Sequence, residues 1–304
     1  MIEIENLSKS FVKGRFAVDH TTWIAPDGKV TGFIGPNGSG KTTTLKMATG
    51  VLKPTTGTVR INGLDIQTQP IEAKRQFGYV SDSPDHFLRL TCMEYLTFMA
   101  DVYKVPEDDR APFIDEYSKR FGIHDKLNDR LISYSHGMRQ KAMVLGALIH
   151  SPSVWILDEP LTGLDPESSF ELKKMMREHA RANNTVLFST HVLEVAEKLC
   201  DQVVIQRKGK LLFTGSLDEL QSGFPSGMTL EEIFLRLVGS TVLDDEDGEA
   251  DESGADGASS EADEAEDAAE AVAADGAGAA AVAVADAAAT AAISAQTSDS
   301  QEQR

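Results

Sequence analysis

Residues 29–43 read "KVTGFIGPNGSGKTT", and the reading of this stretch decides the fold. "KVTGFIG" is an apolar run of strand length, and it passes directly into glycines. From Lys41 to about Ala48 the pattern is helical. Strand, glycine-rich loop and helix start, in that order, are the context a phosphate loop requires. Gly35, Pro36, Asn37, Gly38, Ser39 and Gly40 form the loop, and Lys41, Thr42 and Thr43 open the helix. The glycines let backbone N–H groups close around phosphate oxygens, and the helix N-terminus adds a partial positive charge. Lys41 is placed to reach the β- and γ-phosphates of a nucleoside triphosphate, and the Thr42 hydroxyl to ligate Mg²⁺. A chance glycine turn would account for neither the lysine nor the flanking elements.

Outward from the loop, short apolar runs alternate with helical stretches. The chain begins with the strand-like "MIEIENLSKSF", and "TGTVRINGLDI" reads as strands joined by an Asn62–Gly63 turn, an antiparallel feature. "RQFGYVS" is another short strand. From about residue 88 to 150 the pattern is mostly helical. Strands return in "SVWILDE", "TVLFST" and "DQVVIQRKGKLLFTG", with helices near 167–182 and 192–199. The expected architecture is an α/β core with an antiparallel β portion and a helical insertion. "VWILDEP", residues 154–160, ends a buried strand in two acids, which points them into the ligand crevice of an open α/β sheet. Asp158 is then the candidate Mg²⁺ ligand through water, and Glu159 the candidate for polarising an attacking water. The competing reading of Glu159 is a cap on the next element.

Charge divides the chain. Of a formal −19, residues 241–304 hold 18 Asp and Glu against one Arg, which leaves the first 240 residues close to neutral. No basic footprint for nucleic acid is visible in either part. The tail from Asp244 onward has no Phe, Trp, Tyr or Leu and is expected to be disordered, because it cannot bury enough apolar surface to offset its ordering entropy. Asp275 and Asp286 interrupt its Ala-rich part, so no membrane span is expected there. Two isolated cysteines, Cys92 and Cys200, and the lack of a signal-like apolar core at the N-terminus imply a cytosolic setting.

"GPNGSGKTT", "YSHGM", "WILDEP", "LTGLDP" and "FSTH" occur in the order and spacing of the ATP-binding subunits of ABC transporters, which residues 1–240 resemble. The resemblance implies a P-loop NTPase core with an antiparallel β subdomain and a helical insertion subdomain. It implies ATP and Mg²⁺ as cofactors, ATP hydrolysis coupled to transport, and a transmembrane permease as partner, with this chain on the inner face of the membrane. Phe11 falls where the family stacks an aromatic on adenine, the other reading being a core aromatic. His191 falls at the switch that contacts the γ-phosphate, and Asp165 at the residue that links two active sites. Ser135 and the Gly137 N–H correspond to the segment that caps the ATP held by a second copy, in a head-to-tail dimer.

Two positions depart from the family pattern. His136 stands where Gly is usual, and its side chain is expected to point away from the nucleotide. Asp82 stands where the family places a Gln that contacts Mg²⁺ and the membrane partner, so it is a candidate metal ligand with an added charge. "MTLEEIFLRLVG", residues 228–239, resembles the closing helix of ATPases that serve ABC-2-type exporters. The readings set against this one are a soluble ABC ATPase acting on ribosomes or DNA, and a regulatory nucleotide-binding module. The first usually has paired domains or a coiled-coil insertion, neither of which is visible, and intact Glu159 argues against the second.

Overall fold

The computed structural model describes residues 1–246. Its elements in chain order are β1 (Ile2–Val12), β2 (Arg15–Ala25), β3 (Val30–Ile34), α1 (Lys41–Ala48), β4 (Thr56–Ile61), β5 (Leu64–Asp65), α2 (Pro70–Lys74) and β6 (Phe77–Val80). The helical insertion follows as α3 (Cys92–Val102), α4 (Glu107–Arg120) and α5 (His136–Leu148), with two short 3₁₀ turns between α4 and α5. The chain then runs through β7 (Val154–Leu157), α6 (Pro166–Arg181), β8 (Thr185–Thr190), α7 (Leu193–Leu199), β9 (Gln202–Arg207), β10 (Lys210–Ser216), α8 (Leu217–Ser222) and α9 (Leu230–Glu246).

Two sheets organise the body. The antiparallel sheet has the order β2-β1-β4-β5, and the larger sheet has the order β10-β9-β3-β8-β7-β6. In the larger sheet β9, β3, β8, β7 and β6 run parallel, with β10 added as an antiparallel edge. Its parallel strands are largely buried on both faces, as parallel strands must be when layers cover both sides, while the edge strand β10 is not. Alternate residues serve alternate layers. Phe33, Ile156, Leu187 and Val204 pack toward the antiparallel sheet and α1. Ile34, Leu157, Val186 and Val203 face the helical layer that includes α5 and α6. The expected α/β core, antiparallel β portion and helical insertion are therefore all present.

The turn Asn62–Gly63 joins β4 to β5 with positive φ at both residues, 51° and 79°, the geometry expected of an Asn-Gly hairpin. Strand β2 carries no clean alternation in the sequence. Its pairing with β1 shifts register repeatedly between Ile4 and Val12, and such bulges break the period of two. The last helix continues to Glu246, past the boundary expected at residue 240. The expected acidic, disordered tail otherwise lies outside the described residues.

Candidate nucleotide site

Strands β3, β8 and β7 lie side by side and parallel, so their carboxyl ends open on one crevice. From β3 comes the loop 35–40 and then α1. Gly40 has φ of 100°, and a Cβ there would lie 2.4 Å from the Ala17 carbonyl and 2.6 Å from Gln206 Nε2. Only glycine fits both the dihedral and the space. The loop is held from behind, since Gln206 Nε2 and the Gly209 N–H both donate to the Ser39 carbonyl, at 2.9 and 3.0 Å.

Lys41, 6% exposed, donates to the carbonyls of Gly35 and Pro36 at 2.8 and 3.2 Å. Its Nζ is 3.9 Å from Glu159 Oε1. Burial holds the ammonium below its usual range, and the charges of Glu159 and Asp158 pull it back up. A buried cation bonded only to loop carbonyls and facing two acids is ready to exchange those acceptors for phosphate oxygens.

Asp158 directly follows β7 and is fully buried. The Ser189 hydroxyl, from β8, donates to its Oδ1 and accepts from the Glu159 N–H at 2.9 Å. Burial pushes the Asp158 carboxyl up to about 6, opposed by the Ser189 hydroxyl and reinforced by the Asp82 charge. The Thr42 hydroxyl faces the same carboxylate, yet Oδ2 is buried without a hydrogen-bond partner. An orphaned carboxylate oxygen beside a hydroxyl is a donor set that fits Mg²⁺, which is held by one or two protein oxygens with the remainder from phosphate and water.

Glu159 adopts a left-handed φ of 45°, a conformation that a non-glycine residue holds only when its surroundings enforce it. The Ser189 bond to its N–H is part of that enforcement. Its Oε1 lies 3.0 Å from His191 Nδ1, and His191 follows directly on β8. Lys41, Asp158, Glu159 and His191, read separately in the sequence, are thus brought together at three strand ends. Asp82 follows β6 one strand over. It is exposed, accepts from the Ser81 hydroxyl at 3.0 Å and lies close enough to act electrostatically on Asp158. Phe11 is 48% exposed with Lys9 Nζ 5.2 Å from its ring centre. The core reading of Phe11 therefore fails, because about half of the side chain is exposed.

The remaining segment is separate. Ser135 caps α5, accepting from the Met138 N–H at 3.3 Å. Among the described residues no hydrogen bond joins residues 134–141 to residues 35–43. Gly137 lies against the loop 161–165, where a Cβ would stand 2.4 Å from the Gly163 carbonyl. The His136 ring packs on Gly163. Asp165 caps α6 through the Ser168 N–H and hydroxyl, at 2.8 Å each, and accepts from Lys141 of α5 at 2.8 Å. The Lys141 ammonium holds its carboxyl far below the usual carboxylate range. Gln206 and Lys141 are site residues that no local motif marks, whereas Ser189 lies inside "FSTH" without its role being legible there.

A parallel sheet with this loop after a central strand, and acids ending a neighbouring strand, defines a P-loop nucleotide-binding protein. Comparison with known proteins narrows that class. The family model described as "ABC transporter" matches residues 18–162. YxlF, an uncharacterized ABC transporter ATP-binding protein of Bacillus subtilis (strain 168), is 38% identical over 224 residues, covering 73% of this chain and 72% of the relative. The ABC transporter ATP-binding protein NatA of the same organism is 37% identical over 205 residues, covering 67% and 83%. A solved ATP-binding subunit of an ABC transporter superposes with a TM-score of 0.75 at 31% identity, covering 78% of this chain and 99% of that one. The chain belongs to the family of ABC transporter ATP-binding proteins.

Proposed function

We propose that this chain hydrolyses ATP to drive a separate membrane permease, in the export direction, and that it does so as a head-to-tail dimer. The observation that carries the reading is the convergence of Lys41, Asp158, Glu159 and His191 at the ends of β3, β7 and β8. Gly35–Thr43 wraps the phosphates, and Lys41 neutralises the β- and γ-phosphate charge. Thr42 and Asp158, with Asp82 nearby, would hold Mg²⁺, which when bound draws charge from the phosphate oxygens. Glu159 orients and polarises the attacking water. His191, paired with Glu159, holds that carboxylate in place and meets the γ-phosphate. Phe11 offers its exposed ring to the adenine.

Ser135 and the Gly137 N–H then cap a nucleotide held by the second copy. Asp165, tied to Lys141, joins each cap to the loop that follows Glu159. No described helix is long and apolar enough to cross a membrane, so the reading requires a separate permease, with this chain bound to its inner face. The export direction rests on α9. Its Leu230 and Ile233 are buried in a segment that resembles the closing helix of exporter ATPases.

The test is to tag the full chain, extract it from membranes under mild conditions and identify what co-purifies. An integral membrane protein, together with Mg²⁺-dependent phosphate release, is the expected result. Recovery with ribosomes or nucleic acid would overturn the transporter reading.

A further inference from the structure

Ser135 and Gly137 stand at the exposed start of α5, and the turn before them is gripped by a residue one helical turn further on. Arg139 Nε donates to the Leu131 carbonyl at 3.2 Å, and Nη2 reaches the Ile132 carbonyl at 3.4 Å. Arg139 Nη1 donates to Asp85 Oδ1. The two carbonyls belong to the 3₁₀ turn Leu131–Ser133, which leads directly into Ser135. Asp85 belongs to the segment 81–90, which connects β6 to α3.

That segment is tied to the same turn a second time. The Leu131 N–H donates to the Leu90 carbonyl at 2.9 Å, and the Ile132 N–H to the Leu88 carbonyl at 3.0 Å. Its other side faces elsewhere: Ser81, Ser83, His86 and Phe87 line a cavity of about 120 Å³ between β6, α3 and α5. One strip of chain therefore borders a cavity and grips the approach to Ser135.

An exposed ion pair alone contributes little to stability. The Arg139 side chain, however, is only 21% exposed and meets three acceptors from two segments. The planar guanidinium fixes direction as well as charge, which an ammonium would not. We propose that Asp85 and Arg139 form a clasp that holds the capping turn in register with the cavity-lining strip, making Arg139 a positioning residue for the partner's nucleotide. This rests on the two-chain reading given above. Arg139 acts through Ser135, whose carbonyl accepts the Arg139 N–H at 3.0 Å.

The experiment uses full-length Asp85→Ala, Arg139→Ala, the double variant and Asp85→Glu. Each alanine variant should lower kcat by about ten- to a hundredfold, the scale of a small misplacement of positioning groups. KM for ATP should move less than about twofold, since the loop around Lys41 is untouched. The double variant should be no slower than the slower single one, because both remove one interaction. Asp85→Glu should recover most of the rate. Hydrogen exchange reads the clasp without nucleotide: protection at Met138 and Arg139 should fall in both alanine variants and stay constant over residues 41–48. Additive losses in the double variant, or unchanged exchange at 138–139, would overturn the clasp. A wild-type chain without ATP hydrolysis would count against the proposed function instead, and the exchange result would then decide the clasp.

Discussion

The crevice at the ends of β3, β7 and β8 and the start of α5 are built on opposite terms. In the crevice Lys41 and Asp158 are withdrawn from water, and their partners come from the same chain. At α5, Ser135 and His136 lie exposed, and the bonds of the segment serve only to hold its shape. Buried charge of unlike sign is costly unless it is paired or given a ligand, so the crevice is primed for phosphate and metal. An exposed, shaped helix start stores no such tension and gains a ligand only when another surface brings one. On the proposed reading the chemistry is intrinsic to one chain, while its timing depends on assembly. Breaking each half should fail in a different way.

The largest effect belongs to the crevice. Glu159→Gln should lower turnover by roughly a hundred- to ten-thousandfold, the range of a positioned general base, while ATP affinity is kept. With one charge removed near the closed interface, the variant should elute as an ATP-dependent dimer in gel filtration. Turnover within a few-fold of wild type would remove Glu159 from its role.

Mixing separates the halves directly. Lys41→Ala disables the loop, and Ser135→Arg blocks the cap, so each homodimer should be inactive. If the cap acts between chains, both lesions fall in one composite site of a mixed dimer, and the other site is intact. Equal mixing gives roughly half mixed dimers of a two-fold assembly, so phosphate release should reappear from two dead proteins. If the cap served its own chain's nucleotide, nothing would return. Where hydrolysis needs both sites, ATP-driven dimerisation of the mixture reports the same geometry, and loss of both signals would sink the two-chain site.

These halves also differ in how much of them could be read in advance. The loop, its lysine and the acids of β7 are legible because their geometry is local: a strand, a turn and a helix start within a few residues. Their supports are not. Ser189 reaches Asp158 across 31 residues, and Gln206 reaches Ser39 across 167. Lys141 meets Asp165 across 24 residues, and Arg139 meets Asp85 across 54. No spacing rule links such pairs; only the sheet order and the packing of α5 do. Strand β2 escaped for a different reason, since its bulges erase the alternation that identifies strands. The short helices α2 and α8 are of only five and six residues, less than two helical turns, so periodicity has nothing to act on.

The electrostatic tension of the crevice can be measured as stability. The Asp158 carboxyl, held near 6, binds its proton more tightly in the fold than in the unfolded chain. Its cost is absent below the unfolded value of about 3.9, grows as pH rises, and is complete above about 6. Asp158→Asn should therefore raise Tm by a few degrees at pH 7.5 without Mg²⁺, have little effect at pH 4, and abolish turnover. A lower Tm at pH 7.5 would show that the carboxylate is not under tension.

A smaller pH effect comes from the body. His150 stacks on Tyr103 with ring centres 3.6 Å apart, and His179 on Trp155 at 4.1 Å. Burial pushes each imidazole down to about 4. The unfolded chain binds these protons first, so their contribution is intact above about 6.5 and is lost as pH falls toward 4. His150→Phe and His179→Phe should flatten the acid limb of the Tm profile. An unchanged acid limb would mean that other groups govern acid unfolding.

The smallest effect is expected at Asp82, where two consequences of one substitution oppose each other. Asp82→Gln removes a carboxylate that stands near Asp158 and helps to push its carboxyl up. Asp158 should then ionise at lower pH, and the rise of ATPase activity with pH should shift downward. The same change replaces a charged oxygen with an amide oxygen, which Mg²⁺ still accepts but holds less strongly. One effect favours metal binding and the other weakens it. The net change in basal activity should stay within about tenfold, a barrier change below roughly 1.4 kcal/mol. A pH profile separates the contributions: a downward shift with a nearly unchanged plateau means that Asp82 acts on Asp158 through its charge. A collapsed plateau at every pH, restored by raised Mg²⁺, would mean that its carboxylate is itself a metal ligand.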